Sequence, residues 1–192
     1  MEFTEDDPTK KDVSISMEQA NYYTIIGILP VMLPIVLLFS GLWGGDAIIA
    51  GYTRIMQSIF WFLLAVIIGV VIHEYIHKIG WAVFGKKPFS VIKFGFQWKT
   101  LTPYAHCTEP MEVNGYRWGA ILPGLLLGVL PILIAILNGN GTLFIYGLLF
   151  LFAAGGDFLI LWLIRNVKTG TEVEDHPTRA GCYVFNKEGG QS

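Results

Sequence analysis

Between positions 73 and 77 the chain reads His73-Glu74-Tyr75-Ile76-His77. On a helix, residues four apart lie on one face about one turn apart, so both imidazoles can reach a single metal ion. Glu74, beside them, is the residue type that takes a proton from an attacking water and later delivers it to a departing amine. Zinc suits this chemistry because it lowers the pKa of bound water and polarises a carbonyl without redox side reactions. The plainer reading is a pair of juxtamembrane histidines facing lipid headgroups. Against it, three ionisable groups within five residues of an otherwise apolar stretch are costly to place in a bilayer and usually serve a function.

Two histidines leave such a centre incomplete, because catalytic zinc usually has three protein ligands and one open position. Asp157, His106, His176, Glu109 and Glu112 are the candidates for the third. Depth favours Asp157. His77 lies eight residues before Gly85, where its apolar run ends, and Asp157 lies eight residues before Arg165, where the last run ends. At ~1.5 Å rise per residue both groups sit ~12 Å below the same boundary. Ala153, Ala154, Gly155 and Gly156 precede Asp157, and Gly69 and Gly80 flank the histidines, so these helices are expected to approach closely. The plainer account is a lone buried aspartate hydrogen-bonded to serines or backbone.

The elements that must carry these residues follow from composition. The chain has 192 residues, of which 53% are hydrophobic and 15% charged, with a mean hydropathy of +0.54. Soluble domains carry about 25% charged residues, so a bilayer is the expected solvent. Long apolar runs cover 22–43, 55–84, 118–137 and 143–164. Pro30 and Pro34 predict a kinked first span, and the third run carries Gly124 and Gly128 at a spacing that permits close helix approach. The 55–84 run is longer than a bilayer needs, so one end should protrude or tilt. The fold expected is an all-α integral membrane protein of four transmembrane helices, with a small cytoplasmic β-hairpin between the second and third. That hairpin rests on alternation: Ile92, Phe94, Phe96 and Trp98 take one parity, and Lys93, Gly95, Gln97 and Lys99 the other. Residues 1–21 read as a polar tail, 22–165 as the membrane domain and 166–192 as a second polar tail.

Charge predicts sidedness. With four spans, eleven Lys and Arg residues fall on the side holding both tails and the 85–117 loop, and Arg54 alone falls on the other. This bias places both termini in the cytoplasm of a cell-membrane protein, and leaves Cys107 and Cys182 as thiols in a reducing compartment. A net charge of −2 gives no case for nucleic acid.

An H-E-x-x-H motif on one span with an aspartate on a later one resembles the arrangement of site-2 protease-type intramembrane metallopeptidases. A closer resemblance is to a family of small membrane proteins described as putative zincin peptidases. It is carried by His73 to His77, Pro103-Tyr104-Ala105-His106-Cys107, Glu109-Pro110, Ala154-Gly155-Gly156-Asp157, Asp175-His176-Pro177 and Gly181-Cys182. The resemblance implies a zinc peptidase with His73, His77 and Asp157 as metal ligands and Glu74 catalytic. The chain departs from site-2 proteases in having Gly-Gly-Asp-Phe where they have Asp-Gly, and no appended regulatory domain.

Three further residues stand near this chemistry. Lys78 is one turn from Glu74 and can pair with it, although snorkelling to the surface is the simpler account. His106 and His176 lie in loops, where each is either an ordinary loop histidine or a group that orients a ligand or touches substrate. The strand near Phe94 can take an unwound peptide onto its edge, or rest at the membrane's aromatic belt. The function expected is hydrolysis of membrane proteins or peptides near the cytoplasmic leaflet. The rivals are a metal-binding membrane protein without proteolysis, such as a zinc sensor or carrier, and a helix-binding scaffold.

Overall fold

The computed structural model describes residues 10–98 and 102–185. Expectations resting on Glu5, Asp6, Asp7, Lys99 and Lys187 lie outside the described residues. Four helices are long and apolar enough to cross a membrane: Met17–Trp43, Ile59–Val83, Val113–Asn138 and Gly141–Leu163. Large apolar side chains such as Leu33, Leu37, Phe60, Trp61 and Ile67 stand exposed along them. In the most apolar windows of the first two helices 11% of residues are buried, against 33% in the last two. The third and fourth therefore form the inner pair.

Helix α1 (Met17–Trp43) begins five residues before the apolar run because Ser16 caps it. The Ser16 hydroxyl accepts from the Gln19 backbone N–H, and the Gln19 side chain accepts from the Ser16 N–H. The helix runs through Pro30 and Pro34 and ends at Gly44, whose φ of 77° suits glycine. The stretch between the first two apolar runs, whose Gly44, Gly45, Asp46 and Arg54 read as a short loop, is a second helix, α2 (Gly45–Gln57). It breaks at Ser58, and α3 (Ile59–Val83) follows. The break at Ser58 trims the second run only at its start, and α3 carries the rest of it as one helix of 25 residues. The glycine pair and the charges of Asp46 and Arg54 hid the helical period of α2, which packs on the fourth long helix where Gly51 meets Gly141.

The hairpin is present: β2 (Ile92–Gln97) pairs antiparallel with β3 (Thr102–Cys107), Phe94 opposite Ala105. After β4 (Met111–Glu112), the third long helix comprises α4 (Val113–Pro123), a π-helical stretch over Gly124–Val129 and α5 (Leu130–Asn138). Gly124 packs against Ala154 and Phe158, and Gly128 against the Leu151 backbone, so the small-residue spacing joins the third and fourth long helices. The fourth comprises α6 (Gly141–Ala153), capped by Asn140, and α7 (Gly155–Leu163), with a break at Ala154. Arg117 closes the far end of α7, donating to the carbonyls of Ile164 at 2.7 Å and Val167 at 2.8 Å.

The all-α expectation needs correction, because both polar tails contribute strands. β1 (Lys10–Ile15), β5 (Glu172–Asp175) and β6 (Ala180–Phe185) join β4 in a four-stranded sheet ordered β1-β6-β5-β4. Val13, Met111, Val173, Cys182 and Val184 supply its inward apolar side, no more than two to a strand, too few to give a strand pattern in isolation. The β1–β6 ladder joins segments at opposite ends of the sequence, Lys10 opposite Phe185 and Ile15 opposite Ala180, which local patterning does not report; β5 and β6 form a local hairpin. Because β1 precedes the first long helix and β6 follows the fourth, the two ends of the bundle lie on one face. The sheet, the hairpin, α4 and α7 share one apolar cluster that includes Trp81, Ile92, Tyr116, Ile164 and Val173.

Candidate metal centre and active site

His73 and His77 lie one turn apart on α3, buried to 8% and 5% exposure. Asp157 enters from the first turn of α7. Its Oδ2 lies 3.2 Å from His73 Nε2 and its Oδ1 lies 3.3 Å from His77 Nε2. The two Nε2 atoms are 3.2 Å apart. The equal-depth expectation therefore meets a direct convergence. The helices achieve it differently from the way expected. Gly155 packs against Thr24 of α1, Gly69 against Phe150 of α6, and Gly80 against Gly119 of α4. Helix α3 runs along α4, and the gap on the α7 side is left to side chains.

These three residues form a group able to hold a metal ion. His77 Nδ1 lies 2.9 Å from the Gly119 carbonyl oxygen, so that nitrogen carries the proton and Nε2 presents a lone pair to the centre. A lone pair and a carboxylate facing one another are brought together by a shared proton or by a metal cation. Tetrahedral zinc with bonds of ~2.0–2.1 Å holds its ligand atoms ~3.3–3.4 Å apart, close to the spacings found here. The donor set fits zinc. His73 Nδ1 is buried with no protein hydrogen-bond partner among the described residues.

The centre opens on a cavity of about 530 Å³, lined by α1 (Ala20, Asn21, Thr24), α3, the fourth long helix and β3 (Thr102 to Ala105). Glu74 lines it too. One carboxylate oxygen of Glu74 is buried without a protein partner, and the Ala105 backbone amide of β3 is directed at the group. A buried acceptor left free beside the three ligands is where an attacking water would be held.

The remaining candidates separate. Lys78 donates to the Ile92 carbonyl at 3.1 Å and lies over the rings of Phe89 and Phe94. It pins the hairpin to α3 and does not pair with Glu74. His176 is a turn residue: its Nδ1 accepts from the Thr178 and Arg179 backbone N–H groups, and its Nε2 meets the Tyr183 hydroxyl at 3.1 Å. Burial pulls its pKa below the usual value, and both ring nitrogens are spent on the fold. Glu112 caps α4, accepting from Asn114 and Gly115, and Glu109 pairs with Lys87. His106 Nδ1 meets Asp175 Oδ2 at 3.0 Å. That hydrogen bond, with the charges of Asp175 and Glu174, raises the His106 pKa despite burial.

Two cavity-lining residues were not anticipated, Asp175 and Tyr116. Asp175 sits beside His176 in a motif where the histidine drew attention. Tyr116 gave no signal, being one aromatic between Gly115 and Arg117, just ahead of the third apolar run.

A family model described as "Putative zincin peptidase" matches residues 66–171, more than half of the chain. The chain belongs to this family. The matched segment contains His73, Glu74, His77 and Asp157 and excludes β1, β5 and β6. Zincin membership implies zinc, in agreement with the donor set. No curated protein and no solved structure matches the chain.

Proposed function

We propose that this protein is a multi-pass membrane zinc metallopeptidase that hydrolyses peptide bonds of membrane proteins or peptides near the cytoplasmic leaflet. The observation that carries the reading is the convergence of His73, His77 and Asp157 within one cavity, with Glu74 beside them and strand β3 along its wall. His73, His77 and Asp157 would hold the zinc. When bound, zinc would polarise the scissile carbonyl and lower the pKa of water.

The chain's own groups do the rest. Glu74 accepts the proton of the attacking water and passes it to the leaving amine. Gly119, through its carbonyl, keeps His77 in the tautomer that serves the metal. One edge of β3 is laddered to β2, and its other side lines the cavity, so an extended peptide can add there as a further strand. A helical substrate must unwind first, since a helix keeps its carbonyls in its own hydrogen bonds. Pairing of β1 with β6 supports both ends lying on one side of the membrane, and the excess of Lys and Arg supports that side being the cytoplasm.

The test is zinc content and peptide cleavage in wild type, Glu74→Gln and Asp157→Ala, purified as the full chain in lipid nanodiscs. Wild type is expected to hold one zinc and cleave. Glu74→Gln keeps the zinc and loses at least ~100-fold in turnover, and Asp157→Ala loses the zinc. Undiminished cleavage by zinc-loaded Glu74→Gln would remove Glu74 from the reaction.

A further inference from the structure

Asp175 ends strand β5, and its two carboxylate oxygens serve two different elements. Oδ2 accepts from His106 Nδ1 on β3 at 3.0 Å, and Oδ1 accepts from the Tyr116 hydroxyl on α4 at 2.8 Å. Both side chains of the first pair are largely buried, at 18% and 12% exposure. Tyr116 is itself locked: its ring stacks on Trp81 at 5.7 Å, and the Trp81 indole N–H donates to the Tyr116 carbonyl. Trp81 in turn stacks on His77 at 5.4 Å. The hairpin β2–β3 shares no ladder with the four-stranded sheet, so the His106–Asp175 bond is a polar tie between two sheets that otherwise meet through apolar packing. One residue along the strand, the Ala105 amide is directed at Glu74.

We propose that Asp175 is a positioning residue for peptide cleavage: it holds β3 over Glu74 through His106 and anchors that strand to α4 through Tyr116. This inference rests on the peptidase reading above. A carboxylate suits the task because it accepts on both oxygens, whereas the amide of asparagine offers one acceptor and one donor. A strand edge that is no longer held in place docks a peptide less tightly over Glu74, so the loss falls chiefly on KM.

The test uses the full chain in lipid nanodiscs, loaded with zinc, as wild type, Asp175→Asn, His106→Gln and Tyr116→Phe. Three readouts are taken: zinc content, amide hydrogen exchange of residues 102–107, and kinetics on an internally quenched, unstructured apolar peptide. Zinc content should stay at the wild-type level in all variants. Exchange across β3 should quicken at least ~10-fold in Asp175→Asn and His106→Gln, while KM rises ~10-fold with a smaller change in kcat. Tyr116→Phe keeps the His106 bond, so it should show an intermediate effect and guards against misfolding of the other two. Slower cleavage with unchanged β3 exchange would mean that Asp175 acts on substrate directly and would overturn the proposal, as would loss of zinc from Asp175→Asn. If zinc-loaded wild type fails to cleave, the peptidase reading falls, and Asp175 with it as a residue of that reaction. If wild type cleaves and β3 exchange is unchanged in every variant, Asp175 alone is excluded.

Discussion

His77 Nδ1 lies 2.9 Å from the carbonyl oxygen of Gly119, so a candidate metal ligand on the second long helix is oriented by the backbone of the third. That approach depends on the absence of side chains. A Cβ at Gly80 would meet the Gly119 Cα at 2.7 Å. Gly80→Ala gains ~0.5–1 kcal/mol of helix propensity but incurs ~1–3 kcal/mol of overpacking against immovable backbone. The clash wins. Net destabilisation of ~1–2 kcal/mol in a denaturant titration is expected, with weaker zinc retention measured alongside.

Removing the metal and removing its carboxylate ligand should be equivalent. A chelator applied to the wild type should lower its melting temperature, because an ion bound only by the folded state stabilises it by mass action. Asp157→Asn should retain less than about a tenth of the wild-type zinc and show no further chelator effect. A chelator shift of the same size in Asp157→Asn would place the metal elsewhere.

His106 gives the fold a pH dependence of defined sign. Its pKa is raised in the folded chain, chiefly by the hydrogen bond to Asp175. Its contribution is therefore complete below the ordinary histidine value of 6.5 and fades as pH rises through the elevated folded value. His176 runs the other way, because burial lowers its pKa. The informative quantity is thus the difference between wild type and His106→Gln. That difference should shrink as pH is raised above 6.5, by about 1 kcal/mol in all, and thermal melts across this range would measure it.

The two cysteines should resist modification. Burial pushes the Cys182 thiol up to about 12, with help from Asp175 and Asp12. It raises Cys107 as well, and the Cys107 thiol donates to the Glu109 carbonyl. Since thiolate is the reactive form, maleimide labelling of the folded chain at neutral pH should be at least ~100-fold slower than after denaturation. Mass spectrometry of timed samples would show this, and fast labelling of Cys182 would place β6 away from its described position.

The four long apolar helices and the His73–His77–Asp157 grouping were legible because each rests on local spacing plus one count along the helix axis. Equal depth from Gly85 and Arg165 sufficed to pair His77 with Asp157. Helix α2 was obscured by Gly44 and Gly45, which read as a loop but serve as a break between two helices. The four-stranded sheet was not legible, because Lys10–Ile15 finds its partner only across the whole bundle. Asp175 and Tyr116 were missed for a related reason, since their roles exist only once β5, β3 and α4 have been brought together. Lys78 was read as snorkelling to the surface, with Glu74 one turn away as the alternative partner, whereas it donates to the Ile92 carbonyl on the following strand.

The pairing of Lys10–Ile15 with Ala180–Phe185 also has a temporal side. During synthesis β1 emerges before any of the four long helices, yet it cannot be zipped until β6 has left the ribosome. Closing so long a loop is entropically costly and slow. The rim of the cavity contributed by Asp175, Pro177, Thr178 and Ala180 is therefore the last part to be set in place. The ligands on α3 and α7 are already in the bundle by then. A nascent chain would thus bring His73, His77 and Asp157 together before the rim built by β5 and β6 closes over them, a built-in delay in completing the cavity.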